Sequence, residues 1–362
     1  MRPSLAQLYA MEKCYDQPMV CFFLDKIPLQ QAYGEDFRRV DSRDDASVHQ
    51  PAEDRVMTER LLRQFWVQHQ ILTSALAGDD YPKFKYLKSL SITANPEIAA
   101  HQVEKLLSFD RAAFNAHSRH EDAFKFLRTS MEALGIFVLI VKRLKGSTVK
   151  LSVEVFRGFV LADAQAPFIV INGNDAPRAQ IFTLLHEFVH LCLGDTGISG
   201  LNSDNQREKF CNDVASLVLL PTSEFNQYKA EFANMTDNEE FFDLLNQTYQ
   251  PLKISRQLLC YRLLRAKIID RHRYHSLLDK IKADWKHSQS RTNEKLKKSK
   301  GDPNYYALQR YALGNHLLKA VKELHQSDEL STRKAAMVLG IKPSNLHNLY
   351  KAKDGLRLAS QR

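Results

Sequence analysis

The stretch IFTLLHEFVHLCLG, residues 181–194, contains the pattern His-Glu-Phe-Val-His at positions 186–190. On a helix, residues four apart share one face, so His186 and His190 present two imidazoles to a single point. A tetrahedral zinc ion accepts that spacing from one helix. Glu187 lies beside this point, where it can take a proton from an attacking water. The alternative is a chance match of three polar residues on an ordinary helix.

The residues that flank this pattern predict a capped, amphipathic helix. Asn174 or Asp175 is expected to cap its start, Pro177 lies in its first turn, and Gly194 follows its last turn. The apolar run FIVIN directly precedes the helix, and we expect it to be an edge strand with which an extended peptide can pair.

Two histidines leave a catalytic zinc one protein ligand short. The next helix is expected to begin near residues 203–205 and to end at Pro221, with Glu208 in its first turn. A carboxylate is favoured in its ionised form at the start of a helix, which makes Glu208 our choice for the third ligand. Asp213 and Glu224 are weaker alternatives. Other histidines lack a comparable arrangement and are expected at the surface: His117, His272 and His316.

The fold class follows from the periodicity of the rest of the chain. Apolar and β-branched runs occur at 136–142, 149–156 and 167–172, and they predict a small sheet of three or four strands. Helical periodicity dominates elsewhere, with predicted helices at 4–14, 56–77, 96–109 and 121–135 and along the chain after residue 174. We therefore expect a mainly helical α+β fold and no doubly wound parallel sheet.

Charge and composition restrict the class of protein further. The formal net charge is +9, and residues 281–362 alone hold 17 Lys/Arg against 7 Asp/Glu. A basic segment of this kind indicates an anionic partner such as nucleic acid, or else a solvated tail. There is no apolar run long enough to span a bilayer and no signal-peptide pattern, so we expect a cytoplasmic protein without membrane contact. The 5 cysteines are scattered, which favours reduced thiols.

At this point the sequence resembles a known family. RAQIFTLLHEFVHLCLG, followed by REKFCNDVASLVLLP, is similar to the ImmA/IrrE family of bacterial metallopeptidases. That family pairs the His-Glu-x-x-His helix with a second helix carrying Glu, then Asn four residues later, then an apolar run ending in Pro. Here these are Glu208, Asn212 and Pro221. The resemblance implies a zincin-like core and one zinc per chain on His186, His190 and Glu208, with Glu187 as general base.

Longer members of that family often begin with a helix-turn-helix domain. The segment PSLAQLYAMEKCYDQPMVCFFLDKIP, residues 3–28, resembles the junction after such a domain. The expectation is a remnant that lacks the recognition helix and serves as a packing or homodimerisation element.

A second helix-turn-helix candidate is STRKAAMVLGIKPSNLHNLY, residues 331–350. The residues expected in its core register are Ala336, Gly340, Ile341, Leu346 and Leu349. Ser344 is expected to cap its second helix. The residues expected to face outward, towards phosphates or base edges, are Lys342, Asn345, His347, Asn348 and Lys351. DNA contact and a purely structural module both remain open.

The predicted organisation has five parts: an N-terminal helical region (1–110), a metallopeptidase core (111–235), a helical segment completing it (236–285), a basic connector (286–304) and a C-terminal helix-turn-helix-like module (305–362). The function expected from the resemblance is a zinc endopeptidase that cleaves a regulatory protein, a repressor or an antitoxin. The alternative is a transcription regulator or antitoxin-like binding protein that uses the same fold without proteolysis.

Overall fold

A computed structural model describes residues 52–76, 84, 86–144, 150–153, 155–198, 205–252, 254–296 and 305–352, together with residues 4, 7 and 11. The chain divides into two units, Met1–Arg43 and Asp44–Arg362. Every element below belongs to the second unit. The predicted helix at 4–14 and the predicted remnant of a helix-turn-helix domain lie outside the described residues, apart from those three positions.

Helices make up most of the described chain, which confirms the predicted fold class. Before the sheet they are α1 (Ala52–Leu76), α2 (Pro96–Leu106), α3 (Arg111–Ala116) and α4 (His120–Ala133). After the third strand come α5 (Pro177–Leu193), α6 (Asn205–Leu219), α7 (Thr222–Ala233), α8 (Asn238–Thr248), α9 (Arg256–Arg265) and α10 (Arg271–Leu296). The C-terminal helices are α11 (Tyr305–Leu313), α12 (Asn315–Gln326), α13 (Thr332–Val338) and α14 (Leu346–Lys351).

One sheet of four strands occupies the middle of the chain: β1 (Phe137–Val141), β2 (Gly158–Leu161), β3 (Phe168–Asn172) and β4 (Gly197–Ile198). Their order is β1-β3-β2-β4. β3 runs parallel to β1 and antiparallel to β2, and β4 pairs antiparallel with β2. The prediction that FIVIN forms an edge strand is therefore wrong. All five residues of β3 are buried, and a continuous apolar run of this kind is typical of a strand paired on both sides.

The predicted strand at 149–156 is also wrong. Lys150 makes only an isolated bridge with Arg143, and the described residues that follow it, up to the start of β2, form no strand. The amide of Asn172 donates to the carbonyl oxygens of Ser152 and Phe156 at 3.2 and 3.0 Å. Because a buried side chain satisfies these carbonyls, the segment needs no strand partner.

The helix that carries His186 and His190 departs from the prediction at its start and on its faces. Its N-cap is Ala176 and no side chain caps it, since the Asn174 amide donates instead to the carbonyl oxygens of Lys142 and Leu151. The helix is not amphipathic, because nearly every residue from Ala179 to Cys192 is buried between the sheet and other helices. Gly194 does close it in the left-handed region, with φ of 79°.

The C-terminal helices pack on the sheet edge formed by β1. α11 and α12 contact β1, α13 contacts α1, and α14 packs against α11 and α13. Buried Arg128 of α4 donates to the carbonyl oxygens of Tyr311 and Ala312. His316 stacks on Phe137 with ring centroids 4.6 Å apart and is only partly exposed, whereas the sequence predicted a surface position. Burial lowers the pKa of His316.

Three further predictions can be compared with the structure. The predicted connector at 286–304 does not begin at 286, because α10 continues to Leu296. His272 is exposed as predicted, whereas His117 is only partly exposed and contacts the ring of Phe126. Of the helices that the structure describes, none is long and apolar enough to cross a bilayer.

Candidate metal centre

His186 and His190 of α5 and Glu208 of α6 converge on one point. The two Nε2 atoms lie 3.1 Å apart. Oε2 of Glu208 is 3.2 Å from Nε2 of His186, and Oε1 is 3.3 Å from Nε2 of His190. The structure therefore brings together the three residues that the sequence singled out as ligands, with all ligand atoms within 4.8 Å of one another.

The size of this triangle fits a small tetrahedral cation. Nitrogen and oxygen ligands at roughly 2.0–2.1 Å from zinc, at tetrahedral angles, are separated from one another by about 3.3 Å. The three measured separations lie close to that value. The donor set of two imidazoles and one carboxylate is also one that catalytic zinc sites use. The residues present thus fit zinc.

Helix geometry places these side chains. The four-residue spacing puts both rings on one face of α5, and their Nε2 atoms face α6, against which α5 packs. Glu208 lies in the first turn of α6, as predicted. Both histidines are buried and Glu208 is partly exposed, so the carboxylate is the most solvent-exposed of the three side chains.

Asp195 belongs to the centre although the sequence analysis did not single it out. Its Oδ2 atom is 3.2 Å from Nδ1 of His190, and its Oδ1 atom accepts a hydrogen bond from Arg207. A ring that donates from Nδ1 keeps the lone pair on Nε2 for a metal. The chain reverses direction after Gly194, and the backbone amide of Asp195 donates a hydrogen bond to the carbonyl oxygen of His190 at 3.0 Å. This turn places the Asp195 side chain beside the His190 ring. An acidic residue just beyond the helix-ending glycine was the available signal.

The electrostatics of the triangle favour a positive charge inside it. Burial by itself lowers the pKa of His190, but hydrogen bonds to Asp195, Cys211 and Glu208 outweigh burial and raise the pKa well above its usual value. Burial by itself raises the pKa of Glu208, but hydrogen bonds from His186 and His190 outweigh it and lower the pKa far below its usual range. A bound cation can take the place of the positive charge that this arrangement stabilises.

Glu187 lies outside the triangle, on the side of α5 that packs against β2. Its side chain is fully buried, and Gly158 of β2 approaches it closely. A Cβ atom at Gly158 would come 2.6 Å from Oε1 of Glu187 and 2.8 Å from Cγ2 of Thr183. Because Gly158 has no side chain, the Glu187 carboxylate can occupy this space.

The two weaker candidates for the third ligand have other positions. Asp213 accepts hydrogen bonds from Tyr261 at 2.7 Å and from Arg265 at 2.6 and 2.7 Å, and so joins α6 to α9. Glu224 lies in the first turn of α7. Neither belongs to the metal-binding group formed by the described residues.

A His-Glu-x-x-His helix packed on a small sheet, with a carboxylate supplied by the following helix, is the arrangement of a metallopeptidase. Comparison with family models agrees with this class: residues 132–264 match the Peptidase_M78 model, described as the IrrE N-terminal-like domain. The matched segment is similar to an IrrE N-terminal-like domain, which bears out the resemblance to the ImmA/IrrE family. No curated protein matches the chain.

Proposed function

We propose that the chain is a zinc-dependent endopeptidase that cleaves a regulatory protein in the cytoplasm. The observation that carries the proposal is the group of His186, His190 and Glu208, with ligand atoms within 4.8 Å of one another and Glu187 adjacent in sequence to the first ligand. The match of residues 132–264 to a peptidase family model supports it.

In this proposal each residue has a defined task. His186, His190 and Glu208 would hold one zinc ion, and Asp195 orients the ring of His190. The zinc supplies Lewis acidity and makes water a better nucleophile near neutral pH. Glu187 takes a proton from the attacking water and delivers it to the leaving nitrogen of the cleaved peptide.

The sheet suggests how an extended substrate is held. β3 is paired on both sides, so it cannot accept a further strand. β4 is the outer strand beside β2 in the described sheet, and only Thr196 separates it from Asp195. We propose that an extended segment of the target adds to the sheet at β4, because strand addition uses backbone hydrogen bonds and tolerates varied side chains.

The proposed target is a DNA-binding repressor or an antitoxin, cut at one or very few places. The test incubates the zinc-loaded full chain with purified candidate regulators and, separately, with unfolded casein. The matched control is Glu187→Gln, whose amide is nearly the same size as the carboxylate but cannot accept the proton. We expect one discrete cleavage by the native chain, none by Glu187→Gln, and equal zinc content in both.

Three outcomes would contradict the proposal. Undiminished cleavage by Glu187→Gln rules out Glu187 as the base. Full zinc occupancy in His186→Ala, measured by mass spectrometry of the native protein, makes the ligand assignment wrong. Efficient and indiscriminate digestion of casein contradicts a dedicated regulatory protease.

The alternative function is a transcription regulator or an antitoxin-like binding protein that uses the fold without proteolysis. The basic helix-turn-helix-like segment at 331–350 is the observation that favours it. A cleavage assay at full zinc occupancy distinguishes the two functions. The alternative predicts that the chain binds a regulator tightly and does not cleave it.

A further inference from the structure

A candidate binding surface lies on α13, α14 and the turn between them, residues 331–352. We call it the C-terminal basic face. This segment holds four Lys/Arg residues and no Asp or Glu. All four basic side chains are exposed, as are those of Ser344 and His347. Exposed charge of a single sign over two consecutive helices indicates a partner of the opposite charge.

A fixed turn holds the two helices together. Gly340 has φ of 62°, a conformation that favours glycine. The backbone amide of Ile341 donates to the carbonyl oxygen of Ala336 at 3.0 Å, and the backbone amide of Gly340 donates to the carbonyl oxygen of Met337 at 3.1 Å. The residues on the inner side of the unit are buried: Ala335, Ala336, Val338, Leu339, Ile341, Leu346 and Leu349. Helix, turn and second helix thus form one packed unit with a polar outer side.

The attachment to the rest of the molecule leaves the basic side chains exposed. α11 and α12 carry the contacts with β1, and α14 packs against α11 and α13. The Asn348 amide donates to the Tyr306 hydroxyl at 3.1 Å, and Arg310 donates to the carbonyl of Leu349 at 3.5 Å. These bonds tie α14 to α11, while Lys342, His347 and Lys351 remain exposed.

Two details of this arrangement correct the sequence-based expectation without removing the surface. Ser344 does not cap α14, because a short 3-10 helix, Pro343–Asn345, precedes α14 and no side chain caps either element. Asn345 is only partly exposed. The exposed hydroxyl of Ser344 is consequently available to a ligand rather than committed to the backbone of a cap.

We propose that the C-terminal basic face binds duplex DNA, with α14 in the major groove and Arg333, Lys334 and Lys342 on the phosphates. In a helix-turn-helix the second helix reads base edges while the first crosses the backbone. Ser344, His347 and Lys351 offer hydroxyl, imidazole and ammonium groups that can contact bases or phosphates. A membrane surface fits less well, because Met337 is the one large apolar side chain exposed among the described residues of this face.

The test measures binding of the full chain to a fluorescent 30-base-pair duplex of mixed sequence by anisotropy. The variant is Lys342→Glu with Lys351→Glu. The matched control is Lys105→Glu with Lys125→Glu, which makes the same change in net charge on exposed positions of α2 and α4. We expect the variant to lose at least tenfold in affinity and the control to lose less than twofold, since only the former reverses phosphate contacts.

Salt dependence gives a second readout. Three or four phosphate contacts predict that affinity falls roughly 40- to 150-fold between 50 and 200 mM salt. Ser344→Ala and His347→Ala should change the ranking of duplexes of different sequence more than the mean affinity. Glu187→Gln should bind DNA as the native chain does, which separates this proposal from the peptidase.

Any of three results overturns the proposal. The first is equal loss of affinity in the variant and the control, which indicates attraction to net charge alone. The second is binding to polyglutamate as tight as to DNA, which indicates an acidic protein partner. The third is no binding to DNA at 50 mM salt by a native chain whose circular dichroism shows it to be folded.

Discussion

Gly158 of β2 lies against the Glu187 side chain of α5 and leaves no room there for a Cβ atom. Because a Cβ at Gly158 would lie 2.6 Å from Oε1 of Glu187, Gly158→Ala must displace the carboxylate. We expect peptidase activity to fall by about 10- to 100-fold, since displacement of a catalytic group by about 1 Å has that effect. Zinc content should not change, because the substitution lies outside the ligand triangle. Cleavage assays and metal analysis on the same preparation measure both.

The control for this prediction is the double variant Gly158→Ala with Glu187→Gln. If the glycine acts only through Glu187, the double variant has the same residual activity as Glu187→Gln alone. A further loss in the double variant would show that the added methyl group disturbs the site in another way.

Under the proposed function, Asp195 is expected to act on a bound metal through its contact with His190. Asp195→Ala removes the acceptor of the Nδ1 proton, so we expect zinc affinity to fall by about 10- to 100-fold. Competition with a chromogenic chelator measures the affinity. Asp213→Ala is the matched control: it removes another acidic residue whose partners are Tyr261 and Arg265. It should lower thermal stability and leave zinc affinity unchanged.

At the scale of elements, the metal centre joins α5 to α6. A ligand that binds only the folded chain stabilises it by about 2.7 kcal/mol at a hundredfold excess over its Kd. We therefore expect zinc to raise the unfolding temperature by roughly 5 °C or more. Differential scanning fluorimetry with and without chelator tests this. Glu208→Ala should abolish most of the shift, and an unchanged shift in that variant would place the zinc elsewhere.

The sequence predicts those helices and strands that local sequence patterns determine. The helix at 96–106 follows from its periodicity and its Asn95 cap, and the helix at 120–133 follows from its periodicity and from Gly135, which ends it in the left-handed region. The three candidate metal ligands follow from a helical spacing and an acidic residue in the first turn of the next helix. In contrast, the segment 149–156 has strand-like composition, yet its carbonyls are satisfied by Asn172, a residue 16 to 20 positions away.

Strand order is likewise a non-local property. β4 has only two residues, too few for any alternation of polar and apolar residues to indicate a strand. Among the described residues its pairing with β2 makes it the outer strand, and for this reason we propose β4 rather than β3 as the strand that receives a substrate. Asp195 was overlooked for the same reason, since its role depends on a chain reversal after Gly194 that places it beside His190.

At the scale of the whole second unit, the C-terminal helices are joined to the sheet through buried polar groups. Arg128 forms an ion pair with Glu132 at 3.1 Å and donates to the carbonyl oxygens of Tyr311, Ala312 and Val138. Gly314, at the corner between α11 and α12, comes so close to this pair that it has no room for a Cβ. Deletion of the C-terminal helices would therefore uncover a buried ion pair and the edge of β1.

We accordingly expect Arg128→Met to destabilise the fold by about 3–5 kcal/mol, because it leaves the Glu132 carboxylate buried without its partner. The double variant Arg128→Met with Glu132→Gln should recover a large part of the loss, since it buries no uncompensated charge. Chemical denaturation measures both free energies of unfolding. Hydrogen exchange at the amides of β1 and α12 should increase together in the single variant and return towards native rates in the double variant. If the single variant loosened β1 while α12 kept its native protection, the ion pair would serve the sheet alone, and some other contact would hold the C-terminal helices in place.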